Sequence, residues 1–410
     1  MTEPPELSRL TLGFIPLNDC APLAVARERG FFQAEGLEVV LSREASWANI
    51  RDRVAAGILD GAHMLGPMSI ASSLGVGGET VGMAVPLALN LNGSAITVSS
   101  AVAAAMRQAD PDAMARRPRT AAPLKRIIDR RRARGEGPLT FAVVFPYSSH
   151  NYQLRYWMGS AGVDPDRDVR LVVVPPPRMA VSLRSGDIDG FCVGEPWNSL
   201  AAHQGDGEVM IHASEWWRAG PDKVFGVTQA WASAHPNTLL ALVRALLRAA
   251  AWADAPDHRG ELAALLARPE YVDAPQTLVA RSLRGALADG AAGVIFSGHA
   301  ANFPWRSHAM WFASQMVRWG QAGADIDFTA AAQVYRPDLF RAAAAEAGLP
   351  APLIDLKLEG ARGEAWTLDQ ATSPIDMPAD LFLDGGVFDP ASPLAYARGF
   401  AVGRHLPPTI

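Results

Sequence analysis

The chain has 410 residues, 49% of them hydrophobic and 19% charged, with a formal net charge of −5. That length exceeds one ordinary core and predicts two well-buried lobes. The composition excludes a disordered chain, and the acidic balance argues against a generally basic nucleic-acid binder. The longest apolar candidates, such as Ala234–Ala251, carry Arg244 and Arg248 at helical spacing, so no run has the length and apolarity that cross a bilayer.

In chain order, Leu10–Ile15 predicts a strand, Ala21–Ala34 a helix, Leu37–Leu41 a second strand, Trp47–Ala56 a helix and Gly61–Leu65 a third strand. This alternation indicates a mostly parallel sheet with right-handed crossovers. Ala88–Ser100 reads as a crossing into a second lobe. Residues 116–134 then crowd nine basic side chains into nineteen positions: Arg116, Arg117, Arg119, Lys125, Arg126, Arg130, Arg131, Arg132 and Arg134. They read as a solvated helix or as a docking surface for an acidic partner; the lack of interleaved aromatics weakens an RNA surface.

The pattern restarts with a strand at Leu139–Phe145, a helix at Ser149–Ser160, a strand at Val169–Val174 ended by Pro175–Pro177, a helix at Arg178–Ser185 and a strand at Ile188–Val193. Val224–Ala232 reads as the return crossing. Helices follow at Asn237–Ala253, Trp305–Trp319 and Asp338–Ala347, and a tail from Asp355, rich in Pro, Asp and Gly, is expected to wrap a surface. The expected architecture is α/β, with lobe I formed by 1–92 and 225–410, lobe II by 93–224, and a cleft between two mostly parallel sheets flanked by helices.

A search for catalytic motifs returns little. The sequence has no GxxxxGK[ST], no GxSxG and no HExxH. Asp187 and Asp189 read as turn formers. His203 and His212 lack a third ligand, and Cys20 and Cys192 lack metal spacing and read as two buried thiols. No enzyme, metal or cofactor is therefore expected. What remains lies at strand ends and loop starts, which face the ligand cleft of an open parallel sheet: Ser46-Trp47, Asn90–Gly93, Tyr147–Asn151, Pro175–Pro177, Gly194–Trp197 and Pro221–Lys223. These offer amide and imidazole donors, an ammonium and an indole face, a set suited to a small anion with diffuse charge. Taken one by one they also have ordinary structural readings: Trp47 and Trp197 as core aromatics, His150 as a helix-start cap, Lys223 as a surface charge.

Several segments together carry a resemblance. LTLGFIPLNDCAPLAVARERGFF (10–32), EASWANIRDRV (44–54), DGAHMLGPM (60–68), NYQLRYWMGSAGVDPDRDV (151–169), LRSGDIDGFCVGEPWN (183–198) and LDGGVFDP (383–390) resemble the nitrate-binding proteins of ABC transporters, within the type II periplasmic-binding-protein fold. The resemblance covers most of the chain and is loosest over 105–138. It implies nitrate contacts at Trp47, His150, Pro176, Gly194 and Lys223. Asn92 stands where the family's loop supplies a glutamine. Glu195, beside Gly194, is expected to point away from the cleft or to pair with an arginine.

The opening MTEPPELSRL places Glu3, Pro4, Pro5 and Glu6 where an export signal has a basic start and an apolar run. On that ground the chain most resembles the NasS-type cytosolic nitrate/nitrite sensors. The resemblance then implies a cytoplasmic protein that holds an ANTAR-type RNA-binding antiterminator (NasT-like) inactive and releases it when nitrate or nitrite closes the lobes, with no direct nucleic-acid or membrane contact of its own. Three other readings stay open: the substrate-binding protein of an ABC-type nitrate or other small-anion transporter; an enzyme of the thiamin-pyrimidine synthase type, disfavoured by two scattered cysteines; and a sensor of larger organic anions, which needs a roomier cleft.

Overall fold

The computed structural model describes residues 3–284 and 293–404. Ten strands build two five-stranded sheets: β1 (Arg9–Phe14), β2 (Glu38–Arg43), β3 (Gly61–Leu65), β4 (Met83–Ala88), β5 (Ser94–Ser99), β6 (Thr140–Val143), β7 (Arg170–Val173), β8 (Gly190–Gly194), β9 (Gly207–His212) and β10 (Lys223–Thr228). The first sheet has the order β2-β1-β3-β10-β4, the second β7-β6-β8-β5-β9. The strands β1, β2 and β3 pair in parallel, as do β6, β7 and β8. In each sheet one strand runs against the other four: β10 is antiparallel to both β3 and β4, and β5 to both β8 and β9. The architecture is a two-lobe α/β binding-protein fold with mixed sheets flanked by helices.

These two reversed strands correct the expected crossings. The apolar stretch Ala88–Ser100 contains β5, so the passage between sheets shrinks to residues 89–93. Val224–Ala232 begins inside β10, so Lys223 and Val224 lie in the first sheet and the return passage comes before them. The two passages run side by side. Leu91 bridges Pro221, Asn92 N–H donates to Gly220 O at 2.9 Å, and Leu89 N–H donates to Lys223 O at 2.8 Å.

Local chemistry explains the element ends. The helix expected over Ala21–Ala34 stops at Glu28, because Gly30 takes a left-handed turn (φ 71°) before a single turn at Phe31–Ala34. Ser46 Oγ accepts from Asn49 N–H and opens the helix Trp47–Ala55, and Ser148 Oγ does the same for Ser149–Ser160 through Asn151 N–H. The central strand β3 is buried along its whole length, as a strand covered on both faces must be. The long helix Pro236–Asp254 packs on Ala21–Glu28.

The basic segment forms the helix Ala122–Ala133 and its approach. Arg119 pairs with Glu208, Lys125 with Asp129, Arg126 with Asp110, Arg131 with Glu136 and Arg132 with Asp168, so acidic neighbours in the same lobe offset much of its charge. Among the described residues no helix is long and apolar enough to cross a membrane.

The tail carries a short hairpin, β11 (Trp366–Leu368) with β12 (Ile375–Met377), and wraps across the molecule. Phe382 stacks into a cluster with Tyr156, Trp217 and Trp311, and Trp217 Nε1 donates to Asp380 at 2.7 Å. Beneath it Lys357 bridges Glu359 and Asp380, and Ser307 Oγ donates to Glu359 at 2.6 Å. Burial pushes the Glu359 carboxyl up, but Lys357 and His308 overcome it and hold its pKa at about 2. Breaking a buried ion pair by removing one partner costs about 3–5 kcal/mol. Lys357→Ala is therefore expected to lose stability of that order in urea unfolding at neutral pH; an unchanged midpoint would contradict the described tail packing.

Candidate functional site

Parallel strands deliver their C-terminal ends to one edge, and there the two sheets face each other. The chain leaves β1 into the short turn Asn18–Cys20, leaves β6 into the helix Ser149–Ser160, β7 into the turn Pro176–Arg178, and β8 at Gly194. Because β10 runs in reverse, its first residue, Lys223, falls at the same edge.

Lys223 is fully buried. Its Nζ lies 2.7 Å from Asp19 Oδ2, 2.7 Å from Asp222 Oδ2 and 3.4 Å from His150 Nε2. Asp222 Oδ1 accepts a hydrogen bond from Ser149 Oγ at 2.6 Å. Asp19 Oδ1 faces His63 Nε2 at 2.9 Å, and His63 Nδ1 accepts from Ile15 N–H at 3.4 Å. The His63 ring meets Trp47 edge to face, centroids 5.1 Å apart. One connected cluster thus draws on the turn after β1, on β3, on the starts of two helices and on the return passage.

The charges in this cluster are interdependent. Burial lowers the Lys223 pKa, but Asp19 and Asp222 outweigh it and raise it above the ordinary lysine value. Burial pushes Asp19 up, yet Lys223 and His63 hold it well below the carboxylate range. Asp222 ends higher than usual, since burial and the neighbouring Asp19 together exceed the pull of Lys223. Burial and the Lys223 ammonium push His150 well below its ordinary value, so it is neutral. Lysine only donates; His150 Nε2 must accept from it, which assigns the ring hydrogen to Nδ1. Among the described residues, that Nδ1 and the indole Nε1 of Trp47 are buried donors with no hydrogen-bond partner. The arrangement can receive a small anion. Among the described residues no three His, Cys, Asp or Glu side chains group to hold a metal ion.

The lobes are closed over the cluster. Asn18 N–H donates to Glu195 O at 2.9 Å and Trp197 Nε1 to Pro16 O at 3.0 Å, both across the cleft. Farther along the seam, Arg51 lies over the Phe145 ring, and a cavity of ≈ 280 Å³ is lined by Met64 and Met68 from one lobe and Phe145 and Tyr147 from the other.

Of the six residues singled out on sequence, Trp47, His150 and Lys223 share the cluster. Gly194 abuts it: a Cβ there would lie 3.3 Å from Asp19 Oδ2. Pro176 is buried and opens the turn at the end of β7. Asn92 stands in the first passage with φ 61°, its Nδ2 donating to Gly293 O at 3.4 Å. Glu195 turns its Oε2 to Ser199 N–H at 3.1 Å, in the first turn of the helix Trp197–His203, and burial raises its pKa to about 7. Sequence reasoning overlooked Asp19 and His63, and took in Asp222 only within Pro221–Lys223, with no role of its own. Their traces were present: a lone histidine inside the apolar strand GAHML, and acids beside Asn18 and Lys223 at strand ends.

The NMT1-like family model matches residues 3–267. The chain is 32% identical over 413 residues to the nitrate/nitrite binding protein NrtA of Synechococcus elongatus, covering 96% of this chain and 86% of that one. It is 37% identical over 419 residues to the nitrate import ATP-binding protein NrtC of Synechocystis, covering 98% of this chain but only 56% of the relative's length. The crystal structure of the periplasmic nitrate-binding protein NrtA from Synechocystis superposes with a TM-score of 0.83 at 28% identity, over 98% of this chain and 100% of that one.

Removing the ammonium leaves two buried carboxylates face to face. Lys223→Met is expected to lose about 3–5 kcal/mol of stability at neutral pH. In that variant both carboxyl pKa values rise above their unfolded values, so the folded state binds more protons and the deficit shrinks as pH falls. Urea unfolding at about pH 5 and about pH 7.5 checks this; a deficit that is equal or larger at the lower pH would contradict it.

Proposed function

The chain belongs to the NMT1-like family, among the nitrate-binding proteins of ABC transporters, and from that premise we propose that it is a solute-binding protein whose interlobe chamber encloses nitrate or nitrite. The observation that carries the reading is the pair of partnerless buried donors, Trp47 Nε1 and His150 Nδ1, in the cluster of the Lys223 ammonium. A buried donor left unpaired costs about 1–3 kcal/mol. A small planar oxyanion supplies the missing acceptors and a counter-charge in one step. In this reading Trp47, His150 and Lys223 contact the anion, Gly194 leaves room for it beside Asp19, Pro176 forms a wall, and Asn92 borders the site from the passage between lobes.

Trp47, His63, His150 and Lys223 have no exposed surface, so ligand enters only when the lobes part. The ligand favours closure to the extent that it binds the closed form better than the open one. Delivery to an ABC-type transporter and release of an antiterminator would use the same chamber and differ in the partner that reads the closed or open form. The similar proteins are named as transport components, which favours delivery.

Isothermal titration with nitrate, nitrite and bicarbonate tests the proposal. Nitrate or nitrite binding is expected, weakened about 5- to 100-fold in Trp47→Phe and in His150→Ala, the cost of one buried donor each. No binding of any of the three anions by the folded protein would remove the proposed function.

A further inference from the structure

The enclosed charges do not balance in favour of an anion. One ammonium, Lys223, stands between two carboxylates, Asp19 and Asp222, and none of the three is more than 2% exposed. A monoanion enclosed beside this cluster adds a further negative charge where water cannot screen it. We propose that Asp222 is a specificity-determining residue: it takes up one proton whenever a monovalent oxyanion is enclosed, and the chamber thereby excludes dianions. This rests on the anion-binding reading above.

The groups that face Asp222 leave it as the proton acceptor. Lys223, next to it on β10, is already fully protonated. His150, from the helix Ser149–Ser160, turns Nε2 to that ammonium, so a proton there would set two donors face to face. His63, on β3 behind Asp19, has Nδ1 filled by Ile15 N–H in the same way. Cys192, on β8, is a buried thiol whose pKa burial pushes well above its ordinary value, so it already carries its proton. Asp19, from the turn after β1, accepts a hydrogen bond from Lys223 Nζ on Oδ2 at 2.7 Å and has His63 Nε2 2.9 Å from Oδ1, a contact without hydrogen-bond alignment, so two basic groups face it where one faces Asp222.

Among the described residues, Asp222 has only Lys223 as an ion-pair partner. Ser149 Oγ occupies Oδ1, while Oδ2 lies 2.7 Å from Nζ without hydrogen-bond alignment. A proton on Oδ2 releases Lys223 from one of its two carboxylates and turns the ammonium toward the ligand. Burial has already moved the carboxyl in that direction. Nitrate and nitrite, as monoanions, match one proton. Sulfate would need a second; Asp19 stays hydrogen-bonded to Lys223, and Glu195, the other buried carboxyl at the cleft, is engaged by Ser199 N–H.

The test is isothermal titration of the full chain with nitrate in two buffers of different ionisation enthalpy, neither of them an oxyanion, repeated across pH and with sulfate. Uptake of about one proton per nitrate is expected, with affinity falling about tenfold per pH unit on the alkaline limb. Asp222→Asn, which keeps an acceptor for Ser149, is expected to take up none and to bind with an affinity independent of pH. Sulfate is expected to give no binding. Nitrate binding without proton uptake from about pH 6 to about pH 9 would overturn the inference and leave the anion-binding function standing. Uptake retained in Asp222→Asn would overturn the assignment to this residue. Absence of nitrate binding would instead count against the function itself.

Discussion

A lysine ammonium with no exposed surface has to be paired, and the pairing of Lys223 organises the centre of this protein. Its partners come from different parts of the chain: Asp19 from the turn after β1, Asp222 from the return passage, His150 from the first turn of a helix in the other lobe. The lysine reaches them because β10 runs against its neighbours, which brings the start of that strand, rather than its end, to the edge where the parallel strands finish. Were β10 parallel, the same side chain would lie at the far edge of the sheet. The direction of one strand thus sets the chemistry of the cleft.

The same placement ties the cluster to lobe motion. Asp222 and Lys223 continue directly from the return passage, which lies alongside residues 89–93. Ser149 and His150 approach from the second lobe and bond or contact that pair. Opening the lobes must separate Ser149 from Asp222 and His150 from Lys223, and it also breaks the Asn18–Glu195 and Trp197–Pro16 bonds. Closure and assembly of this cluster are one event. Two of the buried donors without partners, on Trp47 and His150, lie in this cluster, where ligand binding energy is available to favour that event.

Much of this was legible in the sequence. The strands β1, β2, β3, β6, β7 and β8 show as short apolar runs bounded by turn residues, and the rule that ligands gather at the ends of parallel strands led to Trp47, His150 and Lys223. The reversed strands β5 and β10 were read as crossings, because local composition does not encode strand direction and the apolar run from Ala88 continues with little interruption past Gly93. Gly30 was passed over inside an otherwise helical pattern. Asp19 and His63 were overlooked, and Asp222 was given no role, because these roles come from partners as many as 204 residues away, and no local pattern shows that a carboxylate at a strand end will meet a buried lysine. The basic segment around Arg119 and Arg132 stood out by composition, but its acidic partners Glu208 and Asp168 lie outside it.

In the proposed function, the partnerless indole N–H of Trp47, buried between the closed lobes, receives the anion. The most direct measurement is the set of tryptophan indole N–H resonances in protein labelled with 15N-tryptophan, followed through a nitrate titration. One indole resonance, identified by its absence in Trp47→Phe, is expected to move downfield and saturate with the binding isotherm, as a free donor does on gaining a charged acceptor. Saturating nitrate that leaves the Trp47 resonance in place would contradict the account.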